Sequence, residues 1–224
     1  MAAGSAAVPP TPVHEITTFQ LEITESNRRD VESTIQEWKE TYNQHIVKGD
    51  DSTRKFLDAS KAISKIKAKM SFMADGEDLH EHHFIYITAK ILNPFAEESD
   101  HRYDLRSIAL VERVATAFLI HAIVSHPDKS GILDCDRTEK YEGDLLDLIA
   151  SDAQKEARDV ASKAHLSSAD YLLSSEVLFF ESAGFETVKE KPRKGEYTMY
   201  LDTRFYEEGS ISHSVSPASM DSYS

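Results

Sequence analysis

The stretch that decides the fold occupies residues 118–143 and begins FLIHAIVSHPD at residues 118–128. A short apolar run closed by His126 and Pro127 predicts a buried strand, because proline cannot continue the hydrogen-bond ladder of a sheet. A polar loop follows, and the sequence GDLLDLI at residues 143–149 opens an apolar-periodic segment that predicts a helix reaching about residue 161. A loop that ends at a helix N-terminus faces unpaired amides and the positive end of the helix dipole. Such a loop suits an anionic ligand, but it occurs in many folds.

The rest of the chain supplies further strands and helices around this stretch. Before it, the sequence predicts strands at residues 16–23 and 84–92, a helix with apolar residues from Val31 to Tyr42, a second helix from Phe56 to Met70, and an insertion-like connection at residues 95–116. After it, we expect a buried strand at residues 169–173, a short helix at residues 176–183 with Gly184 at its C-terminus, and a closing strand pair at residues 185–189 and 197–201. This order predicts a mixed sheet with helices on both faces, although several α+β folds share it.

Length and composition indicate one globular domain with polar ends. The 224 residues suffice for a hydrophobic core, and we predict a leader at residues 1–14, a domain at residues 15–206 and a Ser-rich tail at residues 207–224. The net charge of −14 argues against nucleic acid as a partner and favours a cationic amine, although acidity also serves solubility alone. No membrane span or signal peptide is apparent. A lone cysteine, Cys135, predicts a reducing, cytoplasmic location.

Two segments resemble a known family of enzymes. Residues 118–128 are similar to the fourth strand and the motif that follows it in the GNAT superfamily of N-acetyltransferases, and residues 171–185 are similar to its fifth strand and next helix. The phrases HAIVSH at residues 121–126 and SIAL at residues 107–110 are most similar to arylalkylamine N-acetyltransferases and their polyamine-accepting relatives. The resemblance implies an α/β (α+β) fold with a twisted, mostly antiparallel sheet, one splayed parallel strand pair, and helices on both faces.

The resemblance also implies a reaction, the transfer of an acetyl group from acetyl-CoA to the primary amine of a small molecule. This chemistry needs a proton acceptor for the amine and a polarised thioester carbonyl. His121 matches the family's strand-four histidine, which accepts the proton, and histidine as a residue type titrates near neutral pH. The alternative is a packed core histidine that makes one hydrogen bond.

The coenzyme A contacts follow from the same resemblance. The residues expected to hold the pantetheine arm and pyrophosphate are Ile123, Val124, Ser125, Lys129, Gly131, Gly143 and Asp144. The loop between Gly131 and Gly143 is longer and more acidic than is usual in the family, so residues 132–142 must bulge outward if coenzyme A binds.

Two further departures leave other functions open. Phe180 stands where the family has a tyrosine that protonates the departing thiolate, and Leu119 replaces a second histidine. A catalytically silent binding protein and a fold repurposed for a reaction without coenzyme A therefore remain alternatives. The tract HEHH at residues 80–83 is predicted to be a solvated turn, because adjacency does not give convergent metal ligands. We therefore expect no metal, and we interpret Cys135 as an incidental thiol.

Overall fold

A seven-stranded sheet covered by helices on both faces forms the protein. The computed structural model describes residues 16–46, 54–74, 82–95, 97, 101–127, 135–156, 159–165, 175–188 and 196–211. In chain order the elements are β1 Ile16–Leu21, α1 Glu25–Gln44, α2 Arg54–Ala74, β2 His83–Ile91, β3 Tyr103–Val114, β4 Ala117–Ser125, α3 Cys135–Lys155, β5 Asp159–His165, α4 Ser175–Ser182, β6 Glu186–Thr187 and β7 Glu196–Leu201.

The strand order across the sheet is β1-β2-β3-β4-β5-β7-β6. β4 and β5 are parallel, and every other neighbouring pair is antiparallel. The predicted fold class, a mostly antiparallel sheet with one parallel pair and helices on both faces, is confirmed. Among the described residues, no helix combines the length and apolar character that crossing a membrane requires.

Each face of the sheet buries its own hydrophobic core. The α1–α2 core forms where the apolar stripes of these helices, including Ile35 and Ile63, meet sheet residues such as Leu110. On the opposite face, the α3–α4 core packs Leu145 and Phe180 against sheet residues such as Phe118. The helical spacing of apolar residues in α1 and α2 thus predicted the buried faces correctly.

The connection predicted at residues 95–116 is wrong, because most of it is the long strand β3. Charged residues at both ends of β3, such as Asp104 and Glu112, obscured its pattern. Its centre alternates between the two cores, with Ala109 and Val111 in the α3–α4 core and Leu110 in the α1–α2 core. β3 is therefore a central strand buried on both faces, and its apolar run fits that position.

The helix and strand that follow β4 begin earlier than predicted. α3 starts at Cys135, so Gly143 lies inside the helix instead of opening it. A glycine costs a helix interior about 1 kcal/mol, but the burial of residues such as Leu145 and Ile149 along α3 outweighs that preference. The strand parallel to β4 is β5, which overlaps the predicted end of the helix near residue 161. The strand predicted at residues 169–173 lies outside the described residues.

The closing elements agree with the sequence, and the packed chain extends past the predicted domain end. Gly184 follows α4 with a φ of 85°, the left-handed conformation that glycine adopts readily at a helix C-terminus. Beyond residue 206, Ile211 is buried in the α3–α4 core, and its amide donates to the Asp147 carboxylate at 3.1 Å. The folded part therefore reaches at least Ile211. The predicted leader at residues 1–14 and the tail beyond Ile211 lie outside the described residues.

Candidate active site

The parallel strands β4 and β5 separate partway along the sheet, and the region between them is here called the cleft. The two strands pair over four positions, from Ala117 opposite Asp159 to Ile120 opposite Ser162. Beyond these positions β4 continues along β3, and β5 continues along β7. One edge of β4 after Ile120 is therefore not paired with β5. The predicted splay is confirmed for β4, although its partner strand is not the one expected.

His121 is the first β4 residue beyond that parallel pairing, and it lies in a β-bulge. Leu110 of β3 pairs with Ala122 and Val111 pairs with Ile120, so His121 is the extra residue between two paired positions. Bulges interrupt a ladder locally and redirect a side chain. The bulge thus marks the place where the two parallel strands part.

The side chain of His121 shares a face of the sheet with two other polar side chains. Glu112 lies opposite Leu119 in β4 and opposite His83 in β2. The bulge interrupts the alternation of side chains along β4, and the contact between the His121 and Glu112 side chains shows that both lie on the same face. Leu110, two residues before Glu112, packs in the α1–α2 core. The three polar side chains therefore lie on the sheet face that α1 and α2 cover.

The His–Glu–His cluster, defined as His83, Glu112 and His121, is held together by short contacts. The Nε2 atom of His121 is 2.5 Å from Oε2 of Glu112, and Nε2 of His83 is 3.8 Å from Oε1 of the same carboxylate. The two imidazole rings are 6.2 Å apart and nearly parallel. The His83 side chain is 5% exposed, whereas about a third of His121 and Glu112 remains accessible. The His121 imidazole is therefore accessible from outside the core.

The carboxyl of Glu112 is ionised at neutral pH. Burial alone would raise its pKa, but the hydrogen bond with His121 and the charges of His121, His83 and Lys69 outweigh burial and hold the pKa below its ordinary value of 4.5. An ionised carboxylate only accepts hydrogen bonds. The Nε2 atom of His121 must therefore carry the proton that it shares with Glu112, so in the neutral form of the imidazole the lone pair is on Nδ1.

This lowered pKa predicts how acid affects stability. Ionised Glu112 stabilises the fold at pH values above 4.5, and that contribution is lost as the pH falls through the lowered pKa. Glu112→Gln removes the titrating group, so the melting temperature of the variant should fall less than that of the wild type between about pH 6 and pH 3. Thermal melts of both proteins across this range check the prediction, and parallel losses would contradict it.

Helix α1 is fixed to the end of β4 by two aromatic residues. The Tyr42 hydroxyl donates to the Ser125 carbonyl oxygen at 2.7 Å, and the Trp38 ring meets His126 edge-on at 5.3 Å. Burial, together with the charge of Glu142, raises the pKa of Tyr42 above its usual range, so the hydroxyl stays protonated and keeps donating. These contacts keep α1 over the C-terminal end of β4.

The residues predicted to contact coenzyme A differ in where the structure places them. Ile123, Val124 and Ser125 lie on β4 beyond the separation from β5, with Val124 and Ser125 buried. Lys129 and Gly131 lie outside the described residues.

The prediction that Gly143 and Asp144 present their amides at a helix N-terminus is wrong. Both lie within α3, where each amide bonds to the carbonyl four residues earlier. α3 begins at Cys135, and at 1.5 Å per residue its first residue lies about 12 Å from Gly143 along the helix axis, on the N-terminal side. The loop predicted to bulge at residues 132–142 is likewise helical from Cys135 onward.

Phe180 lies in the hydrophobic core instead of facing the cleft. Its side chain is 1% exposed, and its ring meets Phe179 at 5.4 Å and Phe185 at 5.0 Å, both edge-on. A hydroxyl at this position would meet apolar side chains. The assignment of Phe180 to the position of the family's tyrosine stays a prediction, and the structure shows that this side chain packs in the core. Tyr171, the neighbouring candidate, lies outside the described residues.

Phe180→Tyr should consequently destabilise the protein and should not increase turnover. A buried hydroxyl without a partner costs about 1–3 kcal/mol. Phe179 provides a matched control, because its ring is only partly buried and a hydroxyl there can reach water. Urea unfolding of the two tyrosine variants measures the difference, and equal stabilities would show that position 180 tolerates a hydroxyl.

Glu112 and His83 are the site residues that the sequence reasoning missed. Glu112 interrupts an otherwise apolar run in SIALVERV at residues 107–114, and a carboxylate in such a run is the one signal that pointed to it. His83 was assigned to a solvated turn, but it is the first residue of β2 and is buried. His82 beside it is exposed, whereas His80 and Glu81 lie outside the described residues.

Comparison with known proteins identifies the fold. No protein-family model matches the sequence, and no curated protein matches it significantly. Seventeen chains of solved structures match. An aminoglycoside N(6′)-acetyltransferase from Legionella pneumophila aligns with a TM-score of 0.50 at 12% identity, covering 87% of this chain and 96% of that one.

Two further matches have lower TM-scores than the Legionella structure. The PaiA N-acetyltransferase from Thermoplasma acidophilum, solved in complex with coenzyme A, has a TM-score of 0.49 at 13% identity, with 84% of this chain and 99% of that one covered. The ribosomal-protein-S18-alanine N-acetyltransferase from Escherichia coli has a TM-score of 0.44 at 13% identity, with 87% and 98% covered. The Legionella alignment carries the conclusion that this chain has the GNAT acetyltransferase fold. At 12% identity it concerns the fold alone.

Proposed function

We propose that the protein is an N-acetyltransferase that moves the acetyl group of acetyl-CoA onto a primary amine of a small molecule, either an arylalkylamine or a polyamine. The observation that carries the proposal is the position of His121, which is accessible and bonded to Glu112 at the point where β4 and β5 separate. The single cysteine of the chain supports a cytoplasmic location.

His121 is the proposed proton acceptor. An amine attacks a thioester only in its neutral form, so its proton must be taken up by a nearby base. Glu112 fixes the proton of His121 on Nε2, which leaves Nδ1 to receive a proton from the amine. The imidazolium formed in this way is stabilised by the adjacent carboxylate, as the acid of a catalytic triad stabilises its histidine.

The backbone of Ile123, Val124 and Ser125 is the proposed cradle for the pantetheine arm of acetyl-CoA. These residues follow the last β4–β5 pair, so the β4 edge has backbone groups that β5 does not use. Acetyl-CoA supplies the acetyl group and a thiolate leaving group. Since thiols have pKa values near 8.5, the thiolate can depart near neutral pH with partial help from solvent. Lys129 and Gly131 remain the proposed contacts for the pyrophosphate.

The acceptor is proposed to be cationic in solution. The net charge of −14 attracts an ammonium ion. Helices α1 and α2 cover the sheet face that carries His121 and Glu112, so they border the proposed amine site. Both the arylalkylamine and polyamine classes meet this requirement. The proposal is limited to primary amines, whose nitrogen is the least hindered nucleophile.

The second candidate function is a catalytically silent binding protein with the acetyltransferase fold. The position of Gly143 and Asp144 within α3 favours it, because the amides proposed for the pyrophosphate are already bonded within the helix. A reaction without coenzyme A, the third alternative, would follow from the same feature. Acetyl-CoA binding separates the proposed enzyme from both.

The experiment that tests the proposal measures thiol release from acetyl-CoA in the presence of tryptamine, phenylethylamine or spermidine. We expect release that depends on the amine and saturates with it, together with the acetylated amine as product by mass spectrometry. A panel of such amines that yields no acetylated product, at pH values from about 6 to 9 where histidine and amines titrate, would contradict the proposal.

A further inference from the structure

The strands β2, β3 and β4 bring together three side chains that are metal ligands in many proteins. One nitrogen from His83, one oxygen from Glu112 and one nitrogen from His121 all lie within 4.8 Å of one another. The three residues are 29 and 9 positions apart in sequence, so only the sheet register unites them. We propose that the His–Glu–His cluster binds a divalent transition-metal ion of the zinc class.

The donor set suits such an ion. Two imidazoles and one carboxylate are the protein ligands of a common type of zinc site that keeps a fourth position open. With metal–ligand bonds of about 2.0–2.2 Å, ligand atoms in a tetrahedral site lie roughly 3.3–3.5 Å apart. The two contacts of Glu112, at 2.5 Å to His121 and 3.8 Å to His83, lie on either side of that spacing. Binding therefore requires side-chain rotations that bring three ligand atoms, which now lie within 4.8 Å of one another, to this spacing.

The scaffold around the cluster is rigid and the local charge is mixed. His83 and Glu112 are cross-strand neighbours in the part of the β2–β3 ladder that precedes its irregularity at Thr88, and side chains on adjacent strands need little ordering to meet an ion. The Glu112 carboxylate supplies negative charge, while Lys69 of α2 opposes a cation. Lys69 carries the same sign of charge as the ion and is not a ligand. It should therefore lower the affinity of the cluster for the ion without preventing binding.

A bound ion would also affect the proposed reaction, and this part of the inference rests on the proposed function. Coordination by His121 Nε2 requires that nitrogen to lose its proton, and it fixes the ring on the metal. His121 could then no longer accept a proton from the amine as a free imidazole. Zinc should accordingly inhibit acetyl transfer, and a chelator should restore it.

The test uses the full chain, purified without a histidine tag and freed of metal with a chelator. Zn²⁺ is titrated in competition with a chromophoric chelator, in the absence of acetyl-CoA and amine. We expect one ion per chain, with affinity reduced at least roughly tenfold in His83→Gln and Glu112→Gln, since even an outer-shell partner contributes 10- to 100-fold. His82→Gln is the matched control, because His82 is exposed beside His83, and it should bind as the wild type does.

Thermal melts with and without Zn²⁺ test the site even if a variant is less stable than the wild type, because each protein is compared with itself. Saturating Zn²⁺ should raise the melting temperature of the wild type and of His82→Gln but not that of Glu112→Gln. No binding by the wild type, or equal loss in His82→Gln and His83→Gln, would overturn the inference. If zinc binds through the cluster but acetyl transfer continues unchanged, the metal site stands and the role of His121 as the base is refuted.

Discussion

His121→Ala is expected to lower the turnover of a primary amine by about 10²–10⁴-fold, the usual contribution of a positioned general acid or base. The loss should appear in kcat, because His121 takes up a proton only as the amine attacks. The affinity for acetyl-CoA should change little, since its proposed contacts are the β4 backbone from Ile123 to Ser125. Steady-state kinetics and a binding titration measure the two effects separately.

The pH profile distinguishes a chemical role from a structural one. Turnover by the wild type should depend on pH, because the reaction needs the base in a form that can accept a proton, and the variant should lose this dependence. Glu112→Gln should reduce turnover less than His121→Ala does, because the imidazole remains but its tautomer is no longer fixed. Exposed His82 provides the control, and His82→Ala should behave as the wild type does. Robust transfer by His121→Ala with an unchanged profile would show that the active site is elsewhere.

Phe118→Ala is expected to reduce the free energy of unfolding by about 3–5 kcal/mol, the cost of removing a buried phenylalanine ring. Phe118 is 1% exposed on β4, and its ring stacks on Phe84 at a centroid distance of 5.8 Å. It belongs to the α3–α4 core just before the strands separate. The cavity would therefore weaken the part of the sheet in which β4 and β5 are paired.

Phe205 supplies the control for this experiment. Its side chain is 84% exposed, so Phe205→Ala should change the free energy of unfolding by no more than about 0.5 kcal/mol. Urea unfolding of both variants, monitored by circular dichroism, gives the comparison. A Phe118→Ala protein as stable as Phe205→Ala would mean that β4 does not lie in the core as described.

The sequence predicted the fold wherever its periodicity was clean. β4 is an apolar run that His121 alone interrupts before Ser125, closed by His126 and Pro127, and α1 and α2 have single apolar stripes, so local pattern and tertiary position agree. β5 was missed for the opposite reason. Its sequence DVASKAH has one large apolar residue, Val160, and two alanines that favour helix, so its strand conformation comes from pairing with β4 and β7.

The candidate site was predicted only in part because it depends on register. His121 could be singled out on its own strand through the family resemblance. The role of Glu112 depends on which residue of β3 lies opposite Leu119, and that of His83 on which residue of β2 lies opposite Glu112. A shift of one residue would place either side chain on the other face of the sheet. No local pattern reveals such a constellation.

A calorimetric titration of the wild-type protein with acetyl-CoA decides whether the protein binds the proposed acetyl donor. We expect saturable binding of one molecule per chain, unchanged in His121→Ala. Free coenzyme A should compete, since the proposed cradle at Ile123 to Ser125 contacts the arm that the two molecules share. A titration without binding would refute the proposed acetyl transfer and leave the functions that do not involve coenzyme A.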